Sequence, residues 1–277
     1  MFRFMIRAAM ACALAATTAS LATAQTWTGA YVGGSIGAAL QRDDADETVT
    51  FDTNLDGTFT DTVRTVAGAD AFSPGFCAGI ANGATPASGC VEDENGIDAG
   101  GRVGYDWQRG MLVFGALADV TSTNVTDGVT SFSTTPAFYA FSRELRAVGG
   151  LRARIGIGNE RVLVYGTGGG AWGRINHLYT TSNGVNTFVP AANEERSESA
   201  WGYQAGGGIE VRLTGRWSVV GEYLYTNLND EEDGTVRSQG PVAATNPFIL
   251  VNSAGTDMRR SDRFDVHALR VGINYRF

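Results

Sequence analysis

Leu269-Arg270-Val271-Gly272-Ile273-Asn274-Tyr275-Arg276-Phe277 closes the chain and governs how the rest is read. In an extended strand, successive side chains point to opposite faces. Leu269, Val271, Ile273, Tyr275 and Phe277 therefore share one face, and Arg270, Gly272, Asn274 and Arg276 share the other. A water-soluble sandwich buries the oily face and solvates the charged one. A membrane barrel does the reverse, with apolar side chains against lipid and polar ones in the lumen. This strand fits both arrangements, so the choice is made elsewhere in the sequence.

The N-terminal end makes it. Arg3 and Arg7 form a positive n-region, residues 8–21 are mostly small and apolar, and Ala22-Thr23-Ala24 has the small-x-small cleavage pattern. Residues 1–24 read as a secretory signal, with a mature start at Gln25; the alternative is an N-terminal anchor, for which the stretch is short. No other segment approaches the ~20 apolar residues of a spanning helix, so any membrane this chain enters is entered by strands. Without Arg3 and Arg7, 19 basic residues face 29 acidic ones, a net charge near −10. All the basic residues are Arg. This balance argues against a nucleic-acid partner, which requires clustered cations. Cys12 leaves with the signal, and Cys77 and Cys90 remain as an even pair. In an oxidising compartment a disulfide is the default, with two reduced thiols as the alternative. Closing that loop stabilises its ordered form by about 3 kcal/mol in the chain-entropy model.

Alternation and turn residues divide 25–277 into eight candidate strands, approximately 27–40, 96–107, 111–122, 143–157, 162–175, 198–213, 216–228 and 263–277. Gln108-Arg109-Gly110, Gly158-Asn159-Glu160-Arg161 and Thr214-Gly215 read as tight turns. Long polar segments lie at 41–95, 123–142, 176–197 and 229–262. Short connections at one end and long ones at the other are the pattern of an outer-membrane barrel. The expected fold is all-β: one eight-stranded antiparallel up-and-down transmembrane β-barrel, with short periplasmic turns and long extracellular loops.

The faces agree between strands. Leu145, Ala147, Leu151, Ala153 and Ile155 oppose Arg146, Arg152 and Arg154; Trp201, Tyr203, Ile209 and Val211 oppose Gln204, Glu210 and Arg212. The expected lumen network holds Arg102, Arg146, Arg152, Arg154, Glu210, Arg212, Glu222 and Arg270, with Asp98, Asp106, Asp119 and Arg276 beside them. The first and fifth strands are too Gly-rich for a firm register. Trp27, Trp107, Trp217, Tyr275 and Phe277 fall near the turn side, and Trp172, Trp201, Tyr203 and Tyr225 near the loop side, as two interfacial girdles.

Trp27-Thr28-Gly29-Ala30-Tyr31-Val32-Gly33-Gly34, Tyr165-Gly166-Thr167-Gly168-Gly169-Gly170-Ala171-Trp172 and Val271-Gly272-Ile273-Asn274-Tyr275-Arg276-Phe277 carry a resemblance. The sequence resembles the small outer-membrane β-barrel proteins of Gram-negative bacteria, in particular the alphaproteobacterial surface-antigen family, which is porin-like or opacity-protein-like. The resemblance spans essentially the whole of 25–277, and the 41–95 segment is longer than its pattern. It implies that Tyr275 and Phe277 are read by the barrel-assembly machinery as an insertion signal. It also implies that the wall contacts outer-membrane lipid and lipopolysaccharide.

Three chemistries are open to these residues. Asp52-Thr53-Asn54-Leu55-Asp56-Gly57 fits the start of a calcium loop, in which alternating oxygens converge on one hard cation. Asp52, Asn54, Asp56 and Asp61 are the candidate ligands, but Val63 stands where the bidentate Glu belongs. A solvated acidic turn is the alternative. Asp265 and His267 share a strand face near the loop rim, where a lipid A-modifying enzyme would act, yet the sequence fixes no nucleophile beside them. An eight-stranded barrel is just wide enough for side chains to fill, so the inward charges obstruct a pore rather than line a broad one. The expectation is a non-enzymatic barrel with a structural or surface role in envelope integrity, display or adhesion. Its lumen is closed or of low conductance, and extracellular partners meet its loops. A small porin-like channel is the alternative.

Overall fold

The computed structural model describes residues 27–41, 47–230, 234–261 and 263–277. The signal at 1–24 lies outside the described residues. Among those described, eight long antiparallel strands form the wall: β1 (Gly29–Leu40), β2 (Gly96–Arg109), β3 (Leu112–Ser133), β4 (Ala137–Gly158), β5 (Val162–Thr181), β6 (Glu195–Thr214), β7 (Trp217–Asn229) and β8 (Phe264–Arg276). Each pairs with its neighbour in sequence, and β1 pairs with β8, from Tyr31 opposite Arg276 to Leu40 opposite His267. The last pairing closes the sheet and removes its edges, which is what a bilayer demands of strands.

The three turns at one end are as short as expected. Gly110 and Gly215 take φ of 62° and 52°, a region where a Cβ is strained, and so they allow the chain to reverse within a few residues. The other end departs from expectation. Residues 123–142 are not a loop: β3 and β4 run on as a hairpin joined at 134–136, and β5 and β6 likewise extend to Thr181 and from Glu195. β3 and β4 have 22 residues each, about twice the ~10 a strand needs to cross a bilayer. The upper halves therefore stand clear of the lipid, where the outer face has no need to be oily and the hydropathy pattern fades.

Above the wall the connections fold into a canopy. Thr187–Val189, Val236–Gln239, Thr256–Arg260 and Val49–Asp52 form an antiparallel sheet in that order. Gly75–Ala78 adds a strand to the free side of the β3 extension. Phe51, Val63, Phe72, Val129, Tyr139, Phe141, Tyr179, Phe188, Val236, Phe248 and Met258 are buried together beneath this sheet. Segment 47–95 is thus built into a hydrophobic core and is not a detachable flap.

Candidate functional site

The outer wall carries the exposed apolar residues, among them Val32, Ile36, Val103, Val120, Leu151, Ile155, Ile209, Leu269, Val271 and Ile273. The inner wall carries buried ionic side chains in layers. Both Gly-rich strands take a defined register. Tyr31 of β1 and Tyr165 of β5 point inward and are buried. Glycines make room for both rings: a Cβ at Gly104 would lie 2.4 Å from the Tyr31 hydroxyl, and one at Gly208 would lie 2.7 Å from that of Tyr165.

Nearest the turns, Trp27, Val113, Leu163, Tyr165 and Val220 cluster inside the barrel. Trp27 is wholly buried, which corrects its placement in an interfacial girdle. Its indole N–H donates to the Asn159 carbonyl at 2.8 Å, and the Arg212 guanidinium lies 4.6 Å from its ring. Trp27 precedes β1, so strand parity never governed it. Arg212 is a half-buried cation of the lumen mouth.

The next layer centres on Asp106. Arg154 grips it with both Nε and Nη2, and Arg276 reaches it at 2.8 Å. Arg154 also meets Glu210 at 3.1 Å, while the Ser218 hydroxyl donates to Glu210 at 2.6 Å. Above it, Glu222 accepts from Arg102 and Arg152, each at 3.2 Å, and from the Tyr165 hydroxyl at 2.8 Å. Asp119 joins Arg152 at 2.9 Å to Arg270 at 3.2 Å, and Arg270 continues to Asp98 at 2.7 Å. Among the described residues these two layers hold five guanidiniums (Arg102, Arg152, Arg154, Arg270, Arg276) and five carboxylates (Asp98, Asp106, Asp119, Glu210, Glu222). The balance matters because an unpaired ion here would cost several kcal/mol.

A collar of Val125, Leu145, Val148, Ala171, Ile175, Leu228, Phe264 and Val266 follows. Over it lies a third ionic layer, which sequence reasoning missed. Arg143 bonds Asp127 at 2.6 Å and Asp230 at 3.0 Å, and Arg260 bonds Asp127 at 2.9 Å and Glu47 at 3.0 Å. Asp127 fell in the supposed loop at 123–142, and Arg143 opened the expected fourth strand with the parity of Leu145, on the face read as outward. In the structure Phe141, Arg143 and Leu145 share the inner face, as do Val125, Asp127 and Val129.

Arg146 is a second correction. A β-bulge between Leu145 and Ala147 shifts the register of β4. The bulge turns Leu145 inward into the collar and leaves Arg146 outside, paired with Glu144 at 2.8 Å. One extra residue inverts the side-chain parity of everything beyond it.

The acidic turn brings its residues together. Asp52 accepts backbone N–H bonds from Leu55 at 2.6 Å and Gly57 at 2.7 Å. Asn54 accepts from the Asp56 N–H at 3.0 Å, and Asp61 accepts from the backbone and hydroxyl of Thr53 at 2.8 Å. The Asn54 amide and Thr58 hold the Asp56 carboxyl below the usual carboxylate range. These oxygens are engaged by the turn itself. Cys77 and Cys90 are joined, with Cα atoms 6.6 Å apart, beside the small hairpin of Ile80–Ala81 and Cys90–Val91. Replacing both with Ser is expected to cost this subloop about 3 kcal/mol. Faster proteolysis between the two positions, with the barrel intact, checks this.

His267 lies on the outer wall. Its Nδ1 is 2.6 Å from the Tyr223 hydroxyl, and its Nε2 is 3.8 Å from Asp265. Tyr275 and Phe277 also lie outside, with Tyr275 packed against Trp217 and Phe277 at ring separations of 5.0 and 5.2 Å.

An up-and-down wall that is oily outside and ion-paired inside defines a transmembrane β-barrel. The family model of the outer membrane protein beta-barrel domain matches residues 8–277, and the chain belongs to that family. It is an outer-membrane protein, as the two ends of the sequence implied. The 31 kDa outer-membrane immunogenic protein of Brucella melitensis is 27% identical over 184 residues, covering 66% of this chain and 67% of the relative. The 22 kDa outer membrane protein of Rhizobium leguminosarum is 28% identical over 142 residues, covering 50% of this chain and 57% of the relative. Among solved structures, Ail, the attachment invasion locus protein of Yersinia pestis, aligns over 89% of this chain and 99% of its own, at 13% identity and a TM-score of 0.32.

Proposed function

We propose that this barrel is a structural, surface-displaying element of the outer membrane, with a lumen closed to solutes and a canopy that meets extracellular partners. One observation carries the reading. The charged side chains that would line a pore are instead joined across it, carboxylate to guanidinium, in successive layers. Passing a hydrated ion would require parting several of these pairs at once. Trp27 blocks the turn end, and the collar and canopy core block the other. A rigid scaffold under folded loops suits recognition. The outward position of Tyr275 and Phe277 suits an assembly signal.

Catalysis has less support. His267 faces the lipid side, its Nδ1 is engaged by a tyrosine hydroxyl, and Asp265 lies beyond ordinary hydrogen-bond distance.

Planar-bilayer recording of the refolded full chain tests the closed lumen. The expected trace shows no large, steady openings. Persistent channels in the wild type would overturn the reading in favour of a porin. Changing Arg152 and Glu222 together to Ala is expected to introduce measurable conductance, since both reach across the same layer.

A further inference from the structure

We propose that the bulged strand β4 and its neighbour β5 form an outer-wall docking site for the phosphate of a phosphorylated outer-leaflet lipid, held by Arg146 and Arg174. Arg146 is outside only because of the bulge between Leu145 and Ala147. In the same register Ala147 stands opposite Arg174, which puts the two arginines at adjacent positions on neighbouring strands, with the Arg174 side chain leaning toward Ser197 of β6. Both are exposed on the outer wall, where most neighbours toward the membrane are apolar.

Their height on the wall identifies the ligand. Trp172 lies two residues from Arg174 along β5, on the same face, and is paired with Trp201 of β6, which is 71% exposed. Exposed tryptophans at the loop end of a barrel mark the lipid headgroup level. Two residues of strand rise about 7 Å, which sets the guanidiniums just above the acyl boundary. That is the depth of headgroup phosphates. The planar fork of Arg suits a phosphate with bidentate geometry.

The present partners leave capacity for it. Arg146 donates through Nη1 to Glu144, with 53% of its side chain exposed, and Arg174 donates through Nε to the Ser197 hydroxyl at 2.9 Å. Glu144 is the competing anion and sets the affinity. It occupies one guanidinium edge that a phosphate would otherwise take.

The test uses the full chain in phosphatidylcholine nanodiscs. The probes are bisphosphorylated lipid A and its fully dephosphorylated form, and retention is read by native mass spectrometry. The wild type is expected to retain the phosphorylated probe at least tenfold better than the dephosphorylated one. Arg146→Gln combined with Arg174→Gln is expected to abolish that preference, and Glu144→Gln to strengthen it. Heat-modifiable gel migration confirms that each variant is folded. Equal retention of both probes, or an unchanged preference in the double variant, would overturn the proposal. So would displacement of the lipid by millimolar inorganic phosphate, which would mark a site for free anions. Bilayer conductance plays no part in this readout, so an open lumen would leave it standing.

Discussion

Asp106→Ala is expected to destabilise the barrel by about 3–5 kcal/mol, the range for breaking a buried ion pair by removing one partner. Asp106 is wholly buried and is one of two carboxylates, with Glu210, that Arg154 and Arg276 share. Without it, two guanidiniums crowd one carboxylate in a space with little water. The cost comes from the stranded charges more than from the lost bonds. Asp106→Asn should therefore fall in between, since it keeps an oxygen to accept from Arg154 but no charge. Adding Arg154→Met to the alanine variant should recover part of the loss by removing one stranded cation. Urea unfolding in detergent micelles, followed by intrinsic fluorescence, reads all three. An alanine variant within about 1 kcal/mol of wild type would show that water reaches this layer and solvates the arginines, and the closed lumen would then have to be abandoned.

The legibility of this wall in the sequence followed the bilayer. Where both faces are constrained, alternation is strict, and the inward placement of Arg102, Arg152, Arg154, Glu210, Glu222 and Arg270 was readable residue by residue. Above the headgroups the outer face loses its constraint. There 123–142 has the Ser- and Thr-rich composition of a loop while forming a hairpin, because Thr, Phe and Val suit strands in water as well as in lipid. The bulge at Arg146 was beyond a period-two reading, since a single inserted residue leaves no compositional mark. The inward tyrosines of β1 and β5 did leave a mark. Their space is made by Gly104 and Gly208 on other strands, so the signal lay between segments and not within either. The canopy core was invisible for a related reason: Phe51, Phe72, Phe188 and Phe248 come from three different connections, each polar on average.

Phe72→Ala is expected to loosen that canopy while the barrel stays intact. Phe72 is 4% exposed, and its ring centroid lies 4.4 Å from Phe51, 5.3 Å from Tyr139 and 5.9 Å from Phe248. Truncating a buried Phe costs about 3–5 kcal/mol, through lost transfer energy plus the cavity left behind. The canopy core is separated from the collar by the layer of Arg143, Asp127, Asp230 and Arg260, so the loss should stay local. Protease shaving of intact cells should then cut the 47–95 segment faster, with heat-modifiable migration of the barrel unchanged. Val66→Ala serves as the control, since Val66 is 65% exposed and truncating it removes little burial. The same packing limits what a deletion of residues 47–93 could report. That deletion strips Phe51, Val63 and Phe72 from the core and lays bare Tyr139, Phe248 and Met258. Lost partner binding in such a variant would report a collapsed canopy as readily as a missing contact. Point changes at exposed canopy residues separate the two, provided their shaving pattern matches the wild type. If Phe72→Ala leaves the shaving rate unaltered, the aromatic cluster does not hold the loops together, and they act as independent segments on the rim.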